Sequence, residues 1–415
     1  MTDNIEVTVV PDVVPALLEF LASRGLERLT LVADTNTYRA LGERVSMALR
    51  QGGVDLKEIV LAEPEVVPDE RFIVQVLVAA GNEERTYLAV GSGVVTDIVR
   101  FSSHRTRTSF ISLPTAPSVD GYTSISASLV LGNLKQTIFC QPPLAVLSDL
   151  TTLCAAPRPM IAAGFGDVLA KYIAAADWRL GHLIWDTPYD ESVAQRATTA
   201  RDRCVEQVEA IGSASPAGIR SLIEALAETG LCMLEVGASY PAAGAEHYVS
   251  HVWEMKLLQE GKPAILHGAK VGVATVLMAG YYQELREVAY QEARERLAAA
   301  TLPDRSHEVY RIRAGYGDLA GTVIAEQAPF LDMDPAGFER LKQRILDNWA
   351  GIQAAAAGVP APEIMAGWLR QVGGPVTAQE LGFSAADQAF ALEASHYLRN
   401  RFTVVKLSRM LGLVD

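Results

Sequence analysis

The chain has 415 residues, enough for two or three domains. Hydrophobic residues make up 49% and charged residues 20%, the balance of a globular protein in water. A net charge of −13 argues against nucleic acid and anionic membrane as partners. Four scattered cysteines (Cys140, Cys154, Cys204, Cys232) form no CxxC pair, which suits a reducing cytoplasm and disfavours a cysteine metal site. The opening MTDNIEVTVV has no basic segment and no long apolar run, so no signal peptide is expected.

From the N-terminus, periodicity predicts a helix over 13–24, a strand over 29–33 closed by Asp34, and a helix over 38–51. A strand over 57–61, a helix over 69–80 and a strand over 87–90 follow. Strands over 110–113 and 144–148 complete the set. Short apolar strands separated by helices imply an α/β, Rossmann-like domain with a parallel doubly wound sheet, expected over residues 1–155. Ligands bind such sheets beyond the carboxyl ends of the strands. Asp34 is a candidate there for a ribose hydroxyl.

The strand over 87–90 runs into Gly91-Ser92-Gly93 and a helix predicted over 94–101. Glycine lets backbone N–H groups approach a phosphate, and a helix N-terminus favours negative charge. The pattern is shorter than GxGxxG, so a plain tight turn is the alternative. Asp97, on the first turn, suits a helix-dipole role or a contact to the nicotinamide end of a cofactor. Arg100, His104, Arg105 and Arg107 read as a solvated basic face. The strand over 110–113 leads into PTAPSVDGYTS (114–124), a polar loop stiffened by two prolines, with Asp120 its one carboxylate. Asp120 suits a ligand contact or an Asx-type turn with Gly121.

Beyond residue 156 only helical periods occur: 160–177, 191–211, 216–228, 246–258, 268–282, 284–300, 335–355, 361–372 and 385–413. An all-helical domain is expected over 156–415, with the active site in the cleft between the two domains. The most apolar stretch, 264–282, contains His267 and Lys270 and reads as a buried helix rather than a membrane span.

Three of the seven histidines fall within 241–272. Helical spacing puts His247 and His251 on one face, and His267 follows a break at Gly261 and Pro263. This is a metal-ligand pattern or a set of ordinary interfacial histidines. Asp167 interrupts an apolar helix, where a carboxylate needs a cation. Lys171, one turn on, is one candidate partner. A metal is the other, since one carboxylate and two imidazoles suit zinc, nickel or iron and leave positions open for substrate.

Five motifs then occur in order: GSGVVTDIVR (91–100), PTAPSVDGYTS, GFGDVLAKY (164–172), GAEHYVSH (244–251) with LHGAKVGV (266–273), and HYLRNRFTVVKLSRMLGL (396–413). Together they resemble the sn-glycerol-1-phosphate dehydrogenases of the bacterial arabinose-operon type. That branch lies in the superfamily of iron-containing alcohol dehydrogenases, glycerol dehydrogenases and dehydroquinate synthases. The resemblance implies a metal held by Asp167, His247 and His267. It implies substrate contacts from Asp120, Asp167 and His251, with Asp120 and His251 in catalytic roles. NAD or NADP would meet Gly93, Val94, Val95, Thr96, Asp97, Thr115, Ala116, Pro117, Ser118 and Ser124. The implied reaction is hydride transfer between the nicotinamide and the metal-polarised C2 carbonyl of dihydroxyacetone phosphate, giving sn-glycerol 1-phosphate. His251 would position substrate, relay the alkoxide proton or support the site from behind the ligands. A homodimer or larger homo-oligomer is expected. The alternatives are a dehydroquinate-synthase-like cyclase, a dehydrogenase of another polyol or polyol phosphate, and a nucleotide-binding protein without turnover. Synthases commonly read HGE where this chain reads HGAKVG, and retention of all three candidate ligands counts against loss of turnover.

Overall fold

The computed structural model describes residues 5–132 and 134–414. They group into two compact units. The first comprises Met1–Val168, Thr199–Gly237 and Gln371–Gly373; the second comprises Leu169–Thr198, Ala238–Arg370 and Gly374–Asp415.

The first unit is built on strands β1 (Glu6–Val10), β2 (Arg28–Asp34), β3 (Asp55–Leu61), β4 (Thr86–Gly91) and β5 (Phe110–Pro114). A hairpin of β6 (Ser126–Leu131) and β7 (Leu134–Phe139) and a last strand, β8 (Ala145–Asp149), complete it. Six strands form one parallel sheet in the order β1-β8-β5-β4-β2-β3. Side chains alternate across a strand, so a sheet covered on both faces needs continuous apolar runs. Leu29, Leu31, Leu88 and Val90 enter one core with Val13, Leu17 and Leu41 of the flanking helices. Val32, Tyr87 and Ala89 enter the opposite core with Phe72, Val76, Ile98 and Val99. The doubly wound α/β class is borne out, and the five expected strands are present within one or two residues.

Strand β1 and the β6–β7 hairpin were not expected. EVTVV is only five residues long, and the hairpin begins SASL, which continues the hydroxyl-rich composition of the loop before it. The helix expected from residue 38 starts earlier, because Asp34 caps it: Oδ1 accepts from the N–H groups of Asn36 and Thr37, both at 2.8 Å.

Among the described residues no strand follows Asp149. Helices α1 (Val13–Arg24), α2 (Glu70–Ala80), α3 (Gly93–Thr106), α4 (Arg158–Leu169), α5 (Lys171–Trp185), α6 (Pro216–Val236), α7 (Ala245–Gln259), α8 (His267–Glu287) and α9 (Val404–Met410) matter most to the site. The helix expected over 160–177 is two, broken at Ala170. That expected over 385–413 ends at Ser395 and resumes at Val404, after Thr403 takes an extended N-cap conformation. Arg305–Tyr316 is an unexpected helix; RSHEVYRIRAGY is too polar for a clear stripe, although Ile312 and Tyr316 are buried. The core of the second unit includes Ile173, Leu180, Val249, Trp253, Val273, Met278 and Tyr282. Among the described residues no helix is long and apolar enough to cross a membrane.

Candidate functional site

In the sheet unit, β4 ends at Gly91, Ser92 is extended, and α3 starts at Gly93. A Cβ on Gly91 would lie 2.5 Å from that of Val95, so the turn needs glycine to pack against its own helix. The first-turn N–H groups of a helix lack intrahelical acceptors, and Ser92 does not cap them with its side chain. Val95 and Thr96 are buried. The Asp97 carboxylate faces inward: Oδ1 pairs with Arg100 at 2.7 Å and Oδ2 accepts from the Ser128 N–H at 3.2 Å. Burial pushes it up to about 6, against the pull of the guanidinium.

Arg100 corrects the expected solvated face. It is fully buried and donates to the carbonyls of Gly121 (2.6 Å), Ser126 (2.9 Å) and Tyr122 (3.1 Å) as well as to Asp97. Arg105 and Arg107 are exposed, as expected. The i,i+3 spacing of Asp97 and Arg100 was the available signal.

In the loop after β5, Thr115, Ala116, Ser118 and Ser124 are buried. The Tyr122 hydroxyl donates to the Ala116 carbonyl at 2.5 Å, and Thr123 Oγ1 donates to the Ala227 carbonyl of α6 at 2.9 Å. Two helices crowd the loop through glycine. A Cβ on Gly164 would lie 1.7 Å from the Pro117 carbonyl oxygen, and one on Gly230 would lie 2.6 Å from that of Asp120. The Asp120 side chain does not cap the following turn. Its N–H instead donates to Asp167 Oδ2 at 3.0 Å, and Asp167 is fully buried.

In the helical unit, His247 and His251 come from α7 and His267 opens α8. Ring centroids are 5.3 Å apart for His247 and His267, 6.3 Å for His247 and His251, and 6.0 Å for His251 and His267. His247 Nδ1 lies 2.7 Å from Glu246 Oε1, which also accepts the Gly244 N–H at 2.8 Å. A nitrogen facing a carboxylate carries the proton, so Nε2 is left to bind a ligand. One ring nitrogen each of His247 and His267 lie within 4.8 Å of one another. His251 stands beside that pair, its Nδ1 3.6 Å from Glu254 Oε2. Glu254 Oε1 lies 3.9 Å from the buried Lys270 Nζ, which donates to the Ile265 carbonyl at 2.7 Å. Lys171 is also buried and donates to the Ala242 carbonyl at 3.3 Å.

Glu246 and Asp177 were not foreseen as site-building residues. For Glu246 the signal was an acid next to a histidine. For Asp177 it was a lone acid in the apolar run KYIAAADW.

A family model described as iron-containing alcohol dehydrogenase matches residues 8–157. A glycerol-1-phosphate dehydrogenase, NAD(P)+, of Geobacillus stearothermophilus is 36% identical over 404 residues, spanning 96% of this chain and 91% of that protein. Its namesake in Geobacillus thermodenitrificans is 37% identical over 393 residues, 94% and 88% of the two chains. The chain belongs to the glycerol-1-phosphate dehydrogenase family. This bears out the family read from the five motifs, and the protein is accordingly an enzyme, an oxidoreductase. The fold is shared more widely. A probable glycerol dehydrogenase from Sinorhizobium meliloti superposes with a TM-score of 0.63 at 18% identity, covering 98% of this chain and 96% of its own. The glycerol dehydrogenase of Schizosaccharomyces pombe gives 0.62 at 14% identity, covering 100% and 91%.

Proposed function

We propose that this enzyme interconverts dihydroxyacetone phosphate and sn-glycerol 1-phosphate with NAD or NADP, and that Asp167, His247 and His267 hold a divalent metal ion. The approach of ring nitrogens of His247 and His267 to within 4.8 Å of one another carries the reading, in a chain so similar to named glycerol-1-phosphate dehydrogenases, and Asp167 joins them as the buried carboxylate of GFGDVLAKY. The donor set fits: one carboxylate and two imidazoles suit zinc, nickel or ferrous iron and leave coordination positions open. Glu246 behind His247 is the partner that a metal-bound imidazole calls for. When bound, the ion supplies Lewis-acid polarisation of the substrate carbonyl.

The chain's own groups do the rest. Asp120 hydrogen-bonds a substrate hydroxyl. His251, with Glu254 near Nδ1, presents Nε2 to position substrate and pass a proton to the forming hydroxyl. Gly93, Val94, Val95 and Thr96 offer the N-terminal turn of α3 to the cofactor diphosphate. Asp97 joins them through its backbone, since Arg100 and Ser128 occupy its carboxylate. Thr115, Ala116, Pro117, Ser118 and Ser124 line the cofactor from the loop after β5. Cofactor binding is thus assigned mainly to residues 1–155, and metal and substrate binding mainly to 156–415. A cytoplasmic homodimer or larger homo-oligomer accompanies this reading, consistent with four free cysteines.

The test is NAD(P)H oxidation with dihydroxyacetone phosphate, before and after chelation. Turnover is expected to vanish with chelator and return with zinc, nickel or ferrous iron. Absence of turnover with every metal restored overturns the reading.

A further inference from the structure

Asp177, in α5, is almost fully buried, and its carboxylate has three donors. Oδ1 accepts the Tyr282 hydroxyl at 2.6 Å and the Val404 N–H at 2.8 Å; Oδ2 accepts the Ala245 N–H at 2.8 Å. Ala245 is the first residue of α7, just before Glu246 and His247. This helix has no side-chain cap of its own, because its N-cap is Gly244. First-turn N–H groups have no intrahelical acceptor, so a helix start buried away from water needs one from outside. Asp177 supplies it for Ala245, while Glu246 takes the Gly244 N–H. A Cβ on Gly244 would lie 2.7 Å from Asp177 Oδ2 and 2.8 Å from Glu246 Oε2, so two carboxylates flank the N-cap and would have to shift to admit a side chain there. Tyr282 belongs to α8, the helix that begins with His267. One carboxylate therefore joins the start of the His247 helix to the body of the His267 helix.

The arrangement is costly as mere packing. Burial and the neighbouring Glu246 push the Asp177 carboxyl up to about 7, even though Tyr282 and two backbone N–H groups favour its charge. An apolar residue would fill such a position more cheaply.

We infer that Asp177 is a positioning residue for the metal: it fixes where α7 starts and hence where His247 Nε2 points. This rests on His247 being a ligand, as proposed above. It is tested with zinc as the probe, by calorimetric titration of the apoenzyme and of the variants D177N, Y282F and H247A. In D177N the amide sets a donor against the Ala245 N–H while Oδ1 still accepts. Zinc affinity is expected to fall about tenfold, the lower end of the loss seen when groups behind metal ligands are changed. Y282F removes a donor from Oδ1 and leaves the Ala245 bond in place; zinc affinity is expected to stay at the wild-type level while thermal stability falls. If both variants lose stability and neither changes zinc affinity, Asp177 is structural and the inference fails. Wild-type zinc binding by H247A would instead overturn the ligand assignment. If D177N does not fold, hydrogen exchange of the wild-type apoenzyme decides. The Ala245 amide is expected to exchange as slowly as mid-helix amides of α7, and exchange at the rate of an uncapped helix end overturns the proposal.

Discussion

Two places in the molecule solve the same problem with opposite charges. In the sheet unit, the loop around Gly121–Ser126 turns its carbonyls inward, and a buried guanidinium, Arg100, donates to three of them. In the helical unit, the start of α7 turns N–H groups inward, and two buried carboxylates, Asp177 and Glu246, accept them. The sign of the buried charge follows from which backbone group the local conformation leaves over. A loop end exposes acceptors and calls for an arginine; a helix start exposes donors and calls for an acid.

The largest effect should come where the comparison meets chemistry. H247A and D167A are each expected to lower kcat/KM by about 1,000-fold or more, because the ion supplies several kcal/mol of transition-state stabilisation. Steady-state kinetics together with metal content by mass spectrometry will show it; full activity with metal retained in either variant removes that residue from the ligand set. Next comes the arginine side. R100M leaves Asp97 and three carbonyls facing an apolar chain and is expected to cost about 3–5 kcal/mol of stability in denaturant titrations. A loss below about 1 kcal/mol would mean that water can replace the guanidinium and that the two regions are not equivalent. On the acid side, E246Q should weaken zinc about 10–100-fold with the fold intact, read by chelator competition. An unchanged affinity would show that the His247 Nδ1 contact does not tune the ligand. G164A should cost about 1–3 kcal/mol, since its methyl meets the Pro117 carbonyl and the loop must shift. NAD(P)H binding, followed by fluorescence, should weaken with it.

The smallest effect is a slope. The Asp177 carboxyl sits at about 7 in the folded protein against an ordinary 3.8. A carboxyl raised in this way contributes its full stability below about pH 4 and loses it as pH rises through about 7. Asp97, pushed up to about 6, behaves alike over a lower window. The wild type should therefore lose melting temperature between pH 5 and 8 more steeply than D177N; parallel curves would mean that Asp177 is ionised throughout.

The strands were legible because a sheet buried on both faces must be written in unbroken apolar runs, as LTLVA and YLAV are. The proposed metal ligands were legible in part. Asp167 stood out as a carboxylate in an apolar helix, and His247 and His251 are one helical turn apart, but choosing between the two histidines for the metal required the family motifs. Arg100 and Asp177 carried only faint signals, an acid three residues away and an apolar run, for one physical reason: most of their partners are backbone atoms. A carbonyl or an N–H has no letter in the sequence, so a charge buried against it reads the same as a charge facing water. The division of 160–177 at Ala170 was equally hidden, because alanine continues a helix as readily as it ends one.

The assembly of the sheet unit has a consequence for how the protein is made. Its contacts are complete only with Thr199–Gly237 and Gln371–Gly373, and a Cβ on Gly212 would come within 2.5 Å of the Gln371 carbonyl oxygen. On the ribosome, β8 therefore emerges long before the unit can close. The nascent sheet must wait with the face for α6 open until residue 236 has been made, and for its last segment until residue 373. A ribosome stalled after residue 198 should hold a sheet domain that is protease-sensitive, and one stalled well beyond residue 373 should hold a resistant one.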